Sequence, residues 1–158
     1  MTARTGVSAL LSRVGATSAL TAAAVAGPAV LPGLAPQADA ATPLSIEALH
    51  IAASKKGSPY KYGAAGPKRF DCSGLVLYSY KRAGKKLPRT AAAQYNKSKH
   101  ISGSHRKRGD LVFFHSGRSV YHVGIYAGHG KIWHSPKPGT RVRLEKIWTR
   151  SVWYGRVN

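Results

Sequence analysis

Acidic residues are scarce in this 158-residue chain: five Asp and Glu stand against 25 Lys and Arg, giving a formal charge of +20. Solubility needs far less, and such an excess draws a molecule toward a polyanion such as nucleic acid, anionic lipid or an anionic cell wall. Cysteine occurs once, as Cys72, which excludes an internal disulfide framework and a Cys-based zinc module. Aromatic residues are missing before Tyr60, so the first third of the chain is not built like the rest. The length leaves room for about one domain of roughly 100 to 200 residues, which excludes a multidomain machine.

The N-terminal third has its own logic. Arg4 and Arg13 lie in a segment without acids, and residues 14–30 are apolar and Ala-rich. Pro28, Pro32 and Pro36 follow, and then the small-x-small sequence Ala38-Asp39-Ala40. This is the pattern of a secretory signal peptide cleaved after residue 40. Ser, Thr and Gly dilute the apolar run, which falls short of the roughly 20 strongly apolar residues of a membrane span. A lipoprotein anchor would need a cysteine at the cleavage point. The expectation is a secreted protein, extracellular or wall-associated and without a membrane anchor, with residues 41–158 as its single folded domain. Export favours anionic wall polymers over a specific nucleic-acid partner.

Residues 41–158 read as helices first and strands second. Pro43 and Ser45 open a helix in which Ile46, Leu49, His50 and Ala53 recur at helical spacing, and Gly57 closes it. A loop rich in turn formers and aromatics, residues 59–67, leads to a second helix from Cys72 to Gly84. Its inward face is Cys72, Leu75, Val76, Ser79, Tyr80 and Ala83. Thr90 caps a third helix through Asn96. From Asp110 onward the pattern turns to period two, with strands expected at 111–114, 122–127, 131–135, 141–144 and 152–157. Helices followed by strands without alternation predict an α+β fold with an antiparallel sheet.

The chemistry concentrates on Cys72. A lone thiol is either an apolar filler or a nucleophile. The sequence Asp71-Cys72-Ser73-Gly74 puts the sulfur at a helix N-terminus, where free N–H groups and the positive dipole end favour thiolate. A thiol nucleophile needs a base near neutrality, which histidine supplies. Of the seven histidines, His100, His105 and His115 lie in polar sequence that reads as solvated loop. His50 reads as a boundary residue on a helix face, and His129 as a hairpin tip. His122 and His134 differ, since each sits within an apolar strand. A three-residue Gly128-His129-Gly130 loop would pair Ala127 with Lys131 and set Gly124 opposite His134. The two rings would then share a face, diagonal at roughly 7 to 8 Å between backbones, with Gly124 leaving room between them. An even-length loop would send the rings to opposite faces. The pair could equally be structural, or half of a metal site. A metal lacks further ligands, because the acids of this segment are only Glu47, Asp71, Asp110 and Glu145.

Several ordered stretches together are specific. They are Gly57-Ser58-Pro59-Tyr60-Lys61-Tyr62-Gly63, Phe70-Asp71-Cys72-Ser73-Gly74-Leu75-Val76, Leu87-Pro88-Arg89-Thr90 with Gln94, Gly109-Asp110-Leu111-Val112-Phe113-Phe114, and His122-Val123-Gly124-Ile125-Tyr126 followed by His134. Residues 48–157 resemble the NlpC-type cell-wall peptidases, a papain-like cysteine hydrolase family of bacteria. The resemblance implies a papain-like α+β domain, N-terminal helices packed on a C-terminal antiparallel sheet. It casts Cys72 as nucleophile, His122 as general base and His134 as the polar residue that orients the base. Tyr60, Asp71, Ser73 and Arg89 become oxyanion or substrate-binding residues. Two departures from the family pattern, Ala64 after Gly63 and Ser135 after His134, bear on the substrate groove.

The resemblance further implies a monomeric hydrolase of peptidoglycan stem peptides, typically at the bond between D-γ-glutamate and a diamino acid, with no cofactor and no metal. The same Cys-His pair would also serve a wall amidase or acyltransferase. A non-catalytic cationic module binding teichoic acid, other wall polyanions or extracellular nucleic acid is the reading from a different class, and the intact Cys72 and His122 favour the enzyme.

Overall fold

The computed structural model describes residues 43–158; the N-terminal leader expected from the sequence lies outside them. Helix α1 (Leu44–Ser54) buries Ala48, Leu49 and Ala52. Its inward stripe is thus rotated from the expected one, and His50 is exposed. Small alanines let α1 lie close against α2 (Cys72–Arg82), whose Leu75, Val76, Ser79 and Tyr80 are fully buried, as the helical spacing predicts. Helix α3 (Ala91–Lys97) is capped by Thr90, whose Oγ1 accepts from the N–H of Ala93 at 3.3 Å. Among the described residues no helix is long and apolar enough to cross a membrane.

The remaining chain forms one antiparallel sheet. Its strands are β1 (Lys99–Ile101), β2 (Leu111–Ser116), β3 (Ser119–Gly128), β4 (Lys131–His134), β5 (Arg143–Lys146) and β6 (Val152–Arg156), in the order β1-β6-β2-β3-β4-β5. The fold is therefore α+β, three helices on a six-stranded sheet.

Two strand expectations need correction. Strand β1 was not expected, because its short, polar sequence is exposed at the sheet edge and has no apolar alternation. His100 consequently lies in a strand, its ring stacked 4.0 Å from that of Tyr95, and His115 lies within β2, stacked 3.7 Å from Trp153. The strand expected at 141–144 begins only at Arg143, because Val142 is bound elsewhere. It exchanges backbone hydrogen bonds with the loop before the second helix, Gly57 N–H to Val142 O at 2.9 Å and Val142 N–H to Ser58 O at 2.8 Å.

The sheet's two faces differ. Leu111, Phe113, Val123 and Ile125 pack with α1 and α2 in the main core. The alternate residues Val112, Phe114, Tyr126 and Ile132 form a smaller cluster with Ile147, Val152 and Tyr154. By the period-two rule, His122, Gly124, Tyr126, Ile132 and His134 share this second face. At the far end Asp110, 2 % exposed, accepts from Arg156 at 2.8 and 2.7 Å and from the N–H of Lys107 at 2.6 Å.

Candidate active site

The first half of the site is built around the start of α2. Asp71 caps the helix, its Oδ1 accepting from the N–H of Gly74 at 2.7 Å. Its Oδ2 accepts from the N–H of Gly63 at 2.8 Å, and the Arg89 guanidinium forks onto both oxygens. Arg89 also donates to Ser73 Oγ at 3.0 Å. Asp71, Ser73 and Arg89 are thus brought together beside Cys72, with the Asp71 carboxylate engaged in fixing loop, helix and guanidinium. Gly74 is required here: a Cβ would stand 2.0 Å from Ala64 O, so only glycine lets the 59–66 loop settle on the helix start. Gln94, fully buried, donates to Ser73 O and Pro88 O, each at 2.9 Å, and ties α3 to the same turn.

Cys72 lies in a concavity with Tyr60, Tyr62, Ser73, Arg89 and Tyr121. The N–H groups of Ser73 and Val123 point at its sulfur, so the thiol rests against β3 one residue from His122. Burial pushes the thiol up from its ordinary range, and the Asp71 carboxylate adds to this, while the two N–H groups pull the other way. The sequence expectation of a helix terminus favouring thiolate is corrected: desolvation outweighs the N–H groups. Tyr60, which lines the same concavity, is also held above its ordinary value, first by burial and then by the charge of Cys72.

The second half of the site is the histidine pair. His122 Nε2 and His134 Nδ1 are 2.9 Å apart, and the rings meet edge to face. Strands β3 and β4 pair Ile125 with Trp133 and Tyr126 with Ile132, a register that continues to Gly124 opposite His134, as expected. The turn achieves this differently. Gly128 pairs directly with Lys131, leaving a two-residue turn of His129 (φ 51°) and Gly130 (φ 67°), and Ala127 is bulged out of the ladder. An even loop plus one bulged residue has the parity of the expected odd loop. The space at Gly124 is filled not by the rings but by Ile132, whose Cδ1 would stand 2.8 Å from a Cβ there.

Burial and the neighbouring His134 push His122 down to about 3. Burial likewise lowers His134, against an opposing pull from Glu145. Both rings are therefore neutral near pH 7. Among the described residues no hydrogen bond joins the Cys72 sulfur to the His122 ring; bonds of this kind commonly tighten only with substrate. No group of three or more His, Cys, Asp or Glu among the described residues is arranged to hold a metal.

Sequence reasoning missed three residues here. Glu145 Oε2 lies 2.9 Å from His134 Nε2 and accepts from Arg143 Nε at 2.7 Å. Trp148 covers the pair at 5.8 and 5.5 Å from the two rings while stacking on Phe114. Tyr121, 55 % exposed, stands between the Cys72 concavity and a second one lined by His122, His134, Lys137, Glu145 and Trp148. The alternation in β5 could have put Arg143 and Glu145 on one face, but the long 135–142 connection left the register open. Ser135, expected to bear on the substrate groove, is instead fully buried and donates to Phe70 O at 2.8 Å, stapling the end of β4 to the approach of α2.

Known proteins resemble the chain over this region. A probable endopeptidase of Corynebacterium glutamicum is 42 % identical over 119 residues, 75 % of this chain and 56 % of that protein. The bifunctional muramidase/DL-endopeptidase CwlT of Bacillus subtilis is 46 % identical over 88 residues, 53 % of this chain and 27 % of its own length. The chain thus spans about half, or less, of these relatives. Among solved structures, the NlpC/p60 domain of peptidoglycan hydrolase SagA superposes with a TM-score of 0.66 at 30 % identity, covering 72 % of this chain and 98 % of that one. RipD of Mycobacterium tuberculosis, described as a non-catalytic domain adapted to peptidoglycan binding, superposes at 0.65 with 25 % identity, covering 74 % and 99 %. Residues 57–157 match the NlpC/P60 family, and with the fold in agreement the chain belongs to that family of peptidoglycan hydrolases.

Proposed function

We propose that the protein is a secreted cysteine endopeptidase that cleaves peptidoglycan stem peptides between D-γ-glutamate and a diamino acid. The observation that carries this reading is that Cys72, at the capped start of α2, rests against Val123 of β3, next in sequence to His122, whose ring is paired with His134. A DL-endopeptidase among the relatives supports the choice of bond.

Starting from neutral thiol and neutral imidazole, His122 takes the Cys72 proton as the sulfur attacks the amide carbonyl, acting as general base rather than as half of a standing ion pair. Neither Asp71 oxygen takes the N–H of Cys72 itself, since Oδ1 holds Gly74 and Oδ2 holds Gly63. That N–H, with the Tyr60 hydroxyl, is placed to receive the oxyanion. His122 then returns the proton to the leaving amine, and water attacks the thioester with His122 again as base. Arg89 and Ser73 hold the wall of the groove, and no step calls on a metal or organic cofactor. The excess of basic side chains retains the monomeric enzyme on anionic wall polymers, an attraction that should weaken steeply with salt.

Mass spectrometry of purified peptidoglycan fragments, before and after digestion, tests the reading. Wild-type protein should release products cut after D-glutamate, and folded Cys72→Ala should lose roughly 10³-fold or more of the rate. Equal cleavage by Cys72→Ala would end the cysteine reading. Fragment binding without cleavage by the wild type would instead make it a binding module, as RipD is described.

A further inference from the structure

The nearest carboxylate behind the histidine pair belongs to Glu145, and its place in the sheet is not accidental to the pair. Strand β5 sets Arg143 opposite His134 and Glu145 opposite Ile132. Glu145 is therefore diagonal to His134 on the same face, as His122 is diagonal to it from the other side. Three neighbouring strands line up His122, His134 and Glu145, with contacts of 2.9 Å between the rings and 2.9 Å from His134 Nε2 to the carboxylate.

We propose that Glu145 is a positioning residue that sets the direction of proton transfer: by accepting the His134 Nε2 proton, it leaves Nδ1 of His122 as the free lone pair that takes the Cys72 proton. This rests on the cysteine-endopeptidase reading and adds to it.

The hydrogen-bond inventory fixes the order. An ionised carboxylate only accepts, and Arg143, donating to the same oxygen at 2.7 Å, holds Glu145 below the usual carboxylate range. His134 must therefore carry its proton on Nε2. A neutral ring then has a bare Nδ1, so the 2.9 Å contact with His122 Nε2 is made by a proton on His122. His122, also neutral, is left with an unprotonated Nδ1. Reversing the chain, with a donor in place of Glu145, would put the proton on His122 Nδ1 and leave no base facing the thiol. A tautomer error of this kind is costly to a nucleophile-histidine pair even when the geometry survives. The other cation lining this concavity, Lys137, makes no hydrogen bond to either ring among the described residues, so the carboxylate is the group that decides.

The test is nitrogen-15 NMR of the histidine rings at pH 8, combined with steady-state kinetics on a stem-peptide substrate. Wild-type His122 should show the Nε2–H tautomer; a proton on Nδ1 would overturn the proposal without any variant. Glu145→Leu should shift His122 to a tautomer mixture and lower kcat roughly 10- to 100-fold with KM little changed. Glu145→Gln, whose carbonyl oxygen Arg143 would hold toward His134, should recover much of that loss. Wild-type kcat and an unchanged tautomer in Glu145→Leu would refute the role of Glu145 while Cys72→Ala remained inactive. Activity in Cys72→Ala would refute the underlying reading instead.

Discussion

On the helical side of the site, Asp71 positions Cys72 through a backbone nitrogen three residues away, whereas on the sheet side His122 and His134 meet only because two strands align across a bulged hairpin. The first arrangement is local: cap, helix start and cysteine are consecutive in sequence, and the loop that covers them is fastened to the cap through Gly63. The second is a matter of parity. Each ring is placed by its own strand, and one residue more or less between them changes which face they occupy. The two halves should thus fail differently, the helical one through lost stability and the sheet one through lost alignment.

The sharpest break in that contrast is insertion of one residue between Ile132 and Trp133. With Gly128–Lys131 and Tyr126–Ile132 held by the turn, the added residue moves Trp133 opposite Gly124 and sends His134 to the other face of the sheet from His122. Peptidoglycan cleavage should fall roughly 10²-fold or more while far-ultraviolet circular dichroism remains that of an α+β domain; retained activity would mean the rings do not depend on strand parity. Gly74→Ala attacks the other half. Its Cβ would meet the Ala64 carbonyl, and denaturant unfolding should show a loss of about 3 kcal/mol. A loss below 1 kcal/mol would show that the loop can shift.

Acid separates the halves further. Burial gives His122 a lower proton affinity in the folded chain than when unfolded, so as pH falls the unfolded state takes up the proton first. Stability from this ring is complete above about 6.5, the ordinary histidine value, and drains away as pH falls toward about 3. Melting temperatures between pH 7 and pH 4 should decline, and His122→Phe should flatten the decline. An equal slope in both proteins would assign acid sensitivity elsewhere. The smallest effect belongs to Ser135→Ala, which removes the hydrogen bond to Phe70 O. That carbonyl still accepts from Lys61 N–H at 3.0 Å, so unfolding should show a loss of only about 1 kcal/mol.

The same contrast explains what could be read from the sequence. The helix beginning at Cys72, the Thr90 cap and the shared face of His122 and His134 follow from spacing and alternation, which are local. Strand β1 carries no such pattern, and the bulge at Ala127 leaves no mark beyond the parity it conserves. Glu145 escaped for the same reason that β5 was misplaced: residues 135–142 hold Pro136, Pro138 and Gly139, and no turn of fixed length ties β5 to β4. Trp148 and Tyr121 joined the site through contacts that no motif encodes. The apparent thiolate bias at Cys72 failed because burial is a property of the packed molecule and not of a helix terminus.

The bond from Ser135 to Phe70 spans 65 positions, and that from Arg141 to Gly57 spans 84. Contacts so far apart in sequence come late and slowly when a chain organises itself. A partly folded molecule can hold the α2 cap and its cysteine and still have nothing beside them to accept a proton. On the proposed reading, the candidate site is therefore complete only when the whole domain has closed, and a chain still short of that closure would cleave nothing.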